Sequence, residues 1–277
     1  QQINGARRWL SIFGNSFQPS EFAKYLIPVY AIYAITSSRQ PFLLHSFLKL
    51  LGKLSCPIAL ILIEPDNGTV AIILITLIAL FVLVRLKWAY WALPLAVLLV
   101  SGGIVASQMS HVSDRIRVYL HPELDLRGKG HQPHQAKIAA GSGKLFGKGL
   151  GESLQKLDYL PEARSDYIAA IFAEECGFLG ISALILLYMA IAYLGFHIAS
   201  TASTSQGFYL AAILTFLISL QAFLNLGVVS GLLPSKGTNL PFFSHGGSSL
   251  LVNCIAIALI LNVAKFSEEI VCQKKIK

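Results

Sequence analysis

Charge is what this sequence has least of. Of its 277 residues only 13% are Asp, Glu, Lys or Arg, whereas soluble domains carry about a quarter, so a surface that faces water on all sides is excluded. Cysteine is scarce too. Cys56, Cys176, Cys254 and Cys272 lie in apolar runs or in the tail without paired spacing, which argues against a disulfide framework and a zinc site and leaves them as small lipid- or core-facing residues. Gln1 to Phe17 holds polar and basic residues rather than an apolar stretch, so no cleavable signal peptide is read there. No repeat of about 20–50 residues is visible.

What the chain has in quantity is apolar sequence: 55% is hydrophobic, and its mean hydropathy is +0.63. Runs such as Ala71 to Val84 and Ile181 to Phe196 carry no charge at all. Measured against a hydrocarbon core that takes about 20 apolar residues per helix, the sequence predicts an all-α, polytopic membrane protein of about seven transmembrane helices. The runs are Gln18–Ser37, Leu50–Ile63, Asn67–Val84, Trp88–Ala106, Asp166–Ile198, Gly207–Leu233 and Ser248–Ala264. The second is short and reads as tilted or broken; the fifth and sixth are long enough to kink or to project from the bilayer.

The net charge of +8 belongs to particular segments, so no nucleic-acid partner is expected. If Gln18 starts a span running inward, one side of the membrane receives Arg39, Lys49, Lys53, Arg85, Lys87, Lys265, Lys274, Lys275 and Lys277, against Arg7, Arg8 and Lys236 in the short segments of the other. The positive-inside rule then puts the tail in the cytoplasm and residues 107–165 outside. That outer segment is itself basic, from Arg115 to Arg164, and rich in glycine from Gly128 to Gly151. Long loops are exempt from the rule, so this is either a solvated loop or a surface for an anionic headgroup or pyrophosphate. Its glycines serve tight turns or turn backbone N–H groups toward an anion. Gly141-Ser142-Gly143-Lys144 is half of a phosphate-binding loop, but Ile138 and Leu145 stand where that loop needs Gly and Ser or Thr. His111, His121, His131 and His134 do not have the spacing of a metal-binding helix.

Ionisable groups in or beside apolar runs are the costly ones. Glu21 and Lys24 are three apart and can neutralise each other on one helix face or bind a ligand. Glu64-Pro65-Asp66-Asn67-Gly68 reads as an outer turn between two spans. Glu174 and Glu175 sit within the fifth run. Asp166 stands out because it follows the basic loop directly. With Pro161 at a first helical position, Glu162 and Asp166 fall four apart on one face. A like-charge neighbour raises a carboxylate's affinity for a proton toward that of a useful base, while Arg164 opposes this; a plain helix-dipole carboxylate is the alternative.

Taken in order, the local sequences resemble a known family. Gly5-Ala6-Arg7-Arg8-Trp9, Gln18-Pro19-Ser20-Glu21-Phe22-Ala23-Lys24, Pro65-Asp66-Asn67-Gly68-Thr69, Phe146-Gly147-Lys148-Gly149-Leu150-Gly151, Leu160-Pro161-Glu162-Ala163-Arg164-Ser165-Asp166, Pro234-Ser235-Lys236-Gly237 and Ser244-His245-Gly246-Gly247-Ser248 look like the signatures of the shape, elongation, division and sporulation (SEDS) proteins, the FtsW/RodA/SpoVE type. Lys236 in its Pro-x-Lys-Gly step is more like the division member, and the chain looks like the ten-helix family minus its first three helices, a single membrane domain over 1–277. Arg164-Ser165 replaces a common His-Thr, His245 a frequent tyrosine, and Glu64 and Asn67 a glutamine and a leucine.

The resemblance implies a peptidoglycan glycosyltransferase that polymerises lipid II at the outer face of the bacterial cytoplasmic membrane, at the division septum. Asp166 would be the base, with Glu162 the next candidate. Lys236, Arg7 and Arg8 would face the pyrophosphate, and Glu21, Lys24, Asp66, Ser244, Gly246, Gly247 and Ser248 would complete the substrate site. No cofactor beyond a divalent cation, magnesium or manganese, is implied. Membrane lipids, a class B penicillin-binding protein and other divisome proteins are the implied partners. A lipid II transporter and a non-catalytic division scaffold are the rival readings.

Overall fold

The computed structural model describes residues 8–12, 15–38, 42–64, 66–94, 96, 119, 131–153, 165–234 and 237–276. Arg7, Glu162 and Lys236 lie outside them, as does most of the expected fourth span. The described chain is almost entirely helical, with one small exception that the sequence did not suggest. Strands β1 (Leu10–Ile12) and β2 (Asn15–Phe17) form an antiparallel hairpin in which Leu10 faces Phe17.

The helices are α1 (Pro19–Thr36), α2 (Leu44–Ile63), α3 (Asn67–Leu83), α4 (His131–Ser142), α5 (Ile168–Ser200), α6 (Ser205–Val229) and α7 (Gly247–Ile276). Proline opens α1, where its missing N–H costs nothing. Asp66 caps α3 by accepting from the Thr69 amide at 3.2 Å. The second apolar run proves longer than expected. Its helix begins at Leu44, because Phe47, Leu50, Leu54, Ile58 and Ile61 recur at helical spacing on one buried face while His45, Lys49 and Lys53 stay exposed. At 20 residues it spans a bilayer core.

Among the described residues four helices are long and apolar enough to cross a membrane (Leu44–Ile63, Ile168–Ser200, Ser205–Val229 and Gly247–Ile270), and Asn67–Leu83 is a shorter apolar helix. In α5 only 11% of the apolar window is buried within the protein. Phe178, Leu186, Leu187, Tyr193 and Leu194 project outward from it, a surface suited to hydrocarbon and not to water.

The chain divides into two compact units: residues 1–91, 190–220 and 246–277 form one, and residues 92–189 and 221–245 the other. In the first, α1 lies against α2, α3 and α7. Phe47 is fully buried there, edge-on to Phe81 at 5.3 Å, among Ile27, Ala31, Ile35, Ile73 and Leu80.

The second unit is organised by a break. Gly177 has φ 67° and ψ −163° inside α5, which frees backbone groups on both sides of it. Residues 144–149 take them up: Phe178 N donates to Lys144 O at 2.8 Å, Leu179 N to Leu145 O at 3.2 Å, and Lys148 N and Gly149 N donate to Glu174 O and Glu175 O at 3.0 Å each. Such an approach of backbone to backbone leaves no room for side chains. A Cβ on Gly143 or Gly147 would come within 2.0 Å of the Ala173 or Glu175 carbonyl oxygen. These glycines of the basic segment therefore serve the helix break rather than an anion. Part of that segment, expected as loop, is the helix α4.

Candidate functional site

Within the first unit the expected binding residues Arg8, Glu21, Lys24, Asp66 and Ser248 are each bonded inside the protein. Lys24 Nζ reaches both oxygens of Glu21, at 2.9 and 3.0 Å, with the two side chains 3% and 7% exposed. A charge so deeply buried requires this pairing. Asp66 accepts from Thr69 Oγ1 at 2.8 Å and Ser20 Oγ at 3.4 Å, Ser248 Oγ accepts from Gln18 N at 3.0 Å, and Arg8 Nε donates to Glu64 O at 2.7 Å. These bonds tie the β-hairpin side of the unit to the α2–α3 turn and to the start of α7. Gly247 opens α7 with clear space where a side chain would be, and Gly246 O closes that helix's first bond with Leu250 N.

Asp166 belongs to the second unit. The helix that follows starts at Ile168, so Asp166 stands in the turn of residues 165–167 and not on the helix itself. Glu162, with which Asp166 was expected to share a helical face, lies outside the described residues. The turn is anchored on both sides of Asp166. Ser244 Oγ donates to Ser165 O at 2.6 Å and accepts from Leu240 N at 2.7 Å. Asn225 Nδ2 donates to Asp166 O at 2.9 Å and to Thr238 O at 2.6 Å. The Asp166 side chain points at the loop after α6: a Cβ on Gly237 would lie 2.8 Å from Asp166 Oδ2. Gly237 is bonded in the chain to Lys236, so the carboxylate faces the backbone next to the lysine that the sequence singled out.

Below this turn, Glu174 is 1% exposed and accepts from Lys148 Nζ at 2.5 Å, Ser153 Oγ at 2.6 Å and Ser142 Oγ at 3.2 Å. Farther along α5, Tyr188 Oη donates to Pro241 O at 2.5 Å, and Phe172 meets Phe243 edge-on at 5.1 Å. These contacts moor the 237–245 segment to α5.

The family model described as a cell cycle protein, FtsW/RodA/SpoVE, matches residues 1–269. The chain belongs to the FtsW/RodA/SpoVE family. It is 37% identical to a probable peptidoglycan glycosyltransferase FtsW of Legionella pneumophila over 95% of this chain and 68% of that one. To the protein of the same name from Nitrosococcus halophilus it is 39% identical, over 95% and 69%. Among solved structures, a chain of a peptidoglycan synthase complex that coordinates polymerization and crosslinking superimposes with a TM-score of 0.75 at 25% identity, covering 96% of this chain and 75% of that one. The rod shape determining protein RodA of Thermus thermophilus shares the fold at a TM-score of 0.63 and 24% identity, over 96% and 71%. As a member of the FtsW/RodA/SpoVE family the chain is a multi-pass membrane protein of peptidoglycan synthesis, of the glycosyltransferase class for which these relatives are named.

Sequence reasoning passed over Asn225 and Ser153, met Ser142 only in the incomplete phosphate-loop match, and named Glu174 as a costly group without a specific role. An asparagine deep in the apolar run of α6 was the available signal, since an amide there is also costly without partners.

Proposed function

We propose that this chain polymerises lipid II at the outer face of the cytoplasmic membrane during cell division, with Asp166 as the general base. The observation that carries the reading is the placement of Asp166: half-buried in a turn at the start of a membrane helix, aimed at Gly237, the residue after Lys236. The GlcNAc 4-hydroxyl of one unit attacks the anomeric carbon of MurNAc at the lipid-linked end of the growing strand. As that O–C bond forms, the C–O bond to pyrophosphate breaks, and undecaprenyl pyrophosphate leaves with the electron pair. The hydroxyl proton passes to Asp166. Lys236, the residue before Gly237, supplies positive charge for the leaving pyrophosphate.

Among the described residues no three His, Cys, Asp or Glu side chains converge as a metal cage. A magnesium or manganese ion carried largely by the substrate's phosphates fits this reading, and no step is routed through it. A class B penicillin-binding protein is the proposed partner that crosslinks the product, and the septum the proposed site of action.

Asp166→Asn keeps the side chain's size and removes the basic carboxylate. Purified, correctly inserted variant should form glycan strands from lipid II on the order of a hundredfold more slowly than the wild type. Polymerisation at the wild-type rate would overturn the assignment and make Glu162 the next residue to test.

A further inference from the structure

The direction in which a side chain leaves the backbone is set by the two soft dihedrals of its residue, because the peptide planes on either side are rigid. For Asp166 both planes are held. The carbonyl of the preceding peptide, Ser165 O, accepts from Ser244 Oγ at 2.6 Å, and its own carbonyl accepts from Asn225 Nδ2 at 2.9 Å. Bonds to both flanking planes restrain φ and ψ of Asp166, whose carboxylate lies against Gly237.

Asn225 does more than close one bond. The same Nδ2 donates to Thr238 O at 2.6 Å, so a single amide group joins the Asp166 turn to the loop that the carboxylate faces. Chemistry fixes which way this amide sits, since the opposite orientation would set Oδ1 against two carbonyl oxygens. Asn225 is 1% exposed, and its Oδ1 finds no donor among the described residues. A buried acceptor without a partner is a loss for stability. Asn225 carries that loss while its two protons span the two segments that define the carboxylate's position. Stability of α6 alone gives no reason for an asparagine there, whereas orientation of the Asp166 turn does.

We propose that Asn225, together with Ser244, is a positioning residue for Asp166: the pair clamps both peptides of the turn and bridges it to the 237–238 backbone, so that the carboxylate meets the acceptor hydroxyl in a productive geometry. The role rests on the catalytic reading of Asp166. It assigns Ser244 to the backbone and not to the substrate.

The test uses the purified full chain and lipid II, with kcat and KM measured for Asn225→Leu, Ser244→Ala and Asp166→Asn, and for each clamp variant combined with Asp166→Asn. Misplacement of a catalytic group by about 1 Å costs up to about a hundredfold. Asn225→Leu should therefore lower kcat by about ten- to a hundredfold, Ser244→Ala by less, with KM for lipid II changed less than about twofold in both. In the Asp166→Asn background neither should slow the residual rate further, because there is no longer a base to aim. If Asn225→Leu does not insert, Ser244→Ala carries the same comparison.

A rise in KM at unchanged kcat, or the same fold-loss with and without the Asp166 carboxylate, overturns the positioning role. Wild-type kinetics of both clamp variants beside a slow Asp166→Asn sink the clamp alone, whereas a fully active Asp166→Asn sinks the catalytic reading and the clamp with it.

Discussion

Removing Lys148 should harm the protein more than neutralising its partner Glu174, although Lys148 is the more exposed of the two. The Lys148 side chain is 34% exposed and that of Glu174 1%. In Lys148→Ala the carboxylate stays buried with the hydroxyls of Ser142 and Ser153 but loses the Lys148 ammonium. Removing one partner of a buried ion pair costs about 3–5 kcal/mol. In Glu174→Gln the shape is kept, the amide oxygen still accepts from a serine, and Lys148 can turn to solvent. The cost is then that of weakened hydrogen bonds, about 1–2 kcal/mol. The double variant should be more stable than Lys148→Ala alone, since the buried charge that had lost the Lys148 ammonium is gone. Thermal unfolding of the purified protein in detergent gives the order, and limited proteolysis within residues 143–153 reports whether that segment has come loose from α5. Equal stability of the two single variants, or a double variant less stable than Lys148→Ala, would refute the reasoning.

Two further outcomes follow from the geometry. Gly143→Ala should abolish folding, because the added carbon would sit 2.0 Å from Ala173 O, whereas Gly141→Ala meets open space within α4 and should be neutral or gain about 0.5–1 kcal/mol; expression and melting temperature of the pair decide it. A cysteine at Leu150, which is 79% exposed, should react with an impermeant maleimide on intact cells, while one at Lys274 should react only after permeabilisation; inverted labelling would place the Asp166 turn on the wrong face.

The ends of α1 and α3 were legible within a residue, because Pro19 and Asp66 mark their starts by a mechanism that needs only local sequence. The start of α2 was not. Leu44 to Lys49 alternates exposed polar residues with a single buried face, and a search for continuous apolar runs discards such a turn. Helix α4 has His, Gln and Lys in place of any apolar stripe, and strands of three residues are too short to show a period, so neither carried a pattern. The fifth run, expected to kink or to project from the bilayer, is broken at Gly177, but what stabilises the break comes from residues some thirty positions earlier, a pairing no local pattern encodes. At the site, Asp166 was legible as a carboxylate between a basic segment and a long apolar helix. The clamp was not, since a search for ionisable groups overlooks an uncharged amide, and the resemblance pointed Ser244 at substrate and not at backbone.

The backbone pairing across Gly177 also constrains how such proteins can be recombined. Residues 144–149 and 174–179 complete each other's backbone hydrogen bonding, so neither stretch is an independent module. A chimera that exchanges the segment before residue 153 with a relative, but keeps its own α5, inherits a seam at which every mismatch in backbone path exposes an amide or a carbonyl. Functional exchanges between members should therefore have crossover points that fall before α4 or after the first turns beyond Gly177, carrying both sides of the seam as a single heritable block.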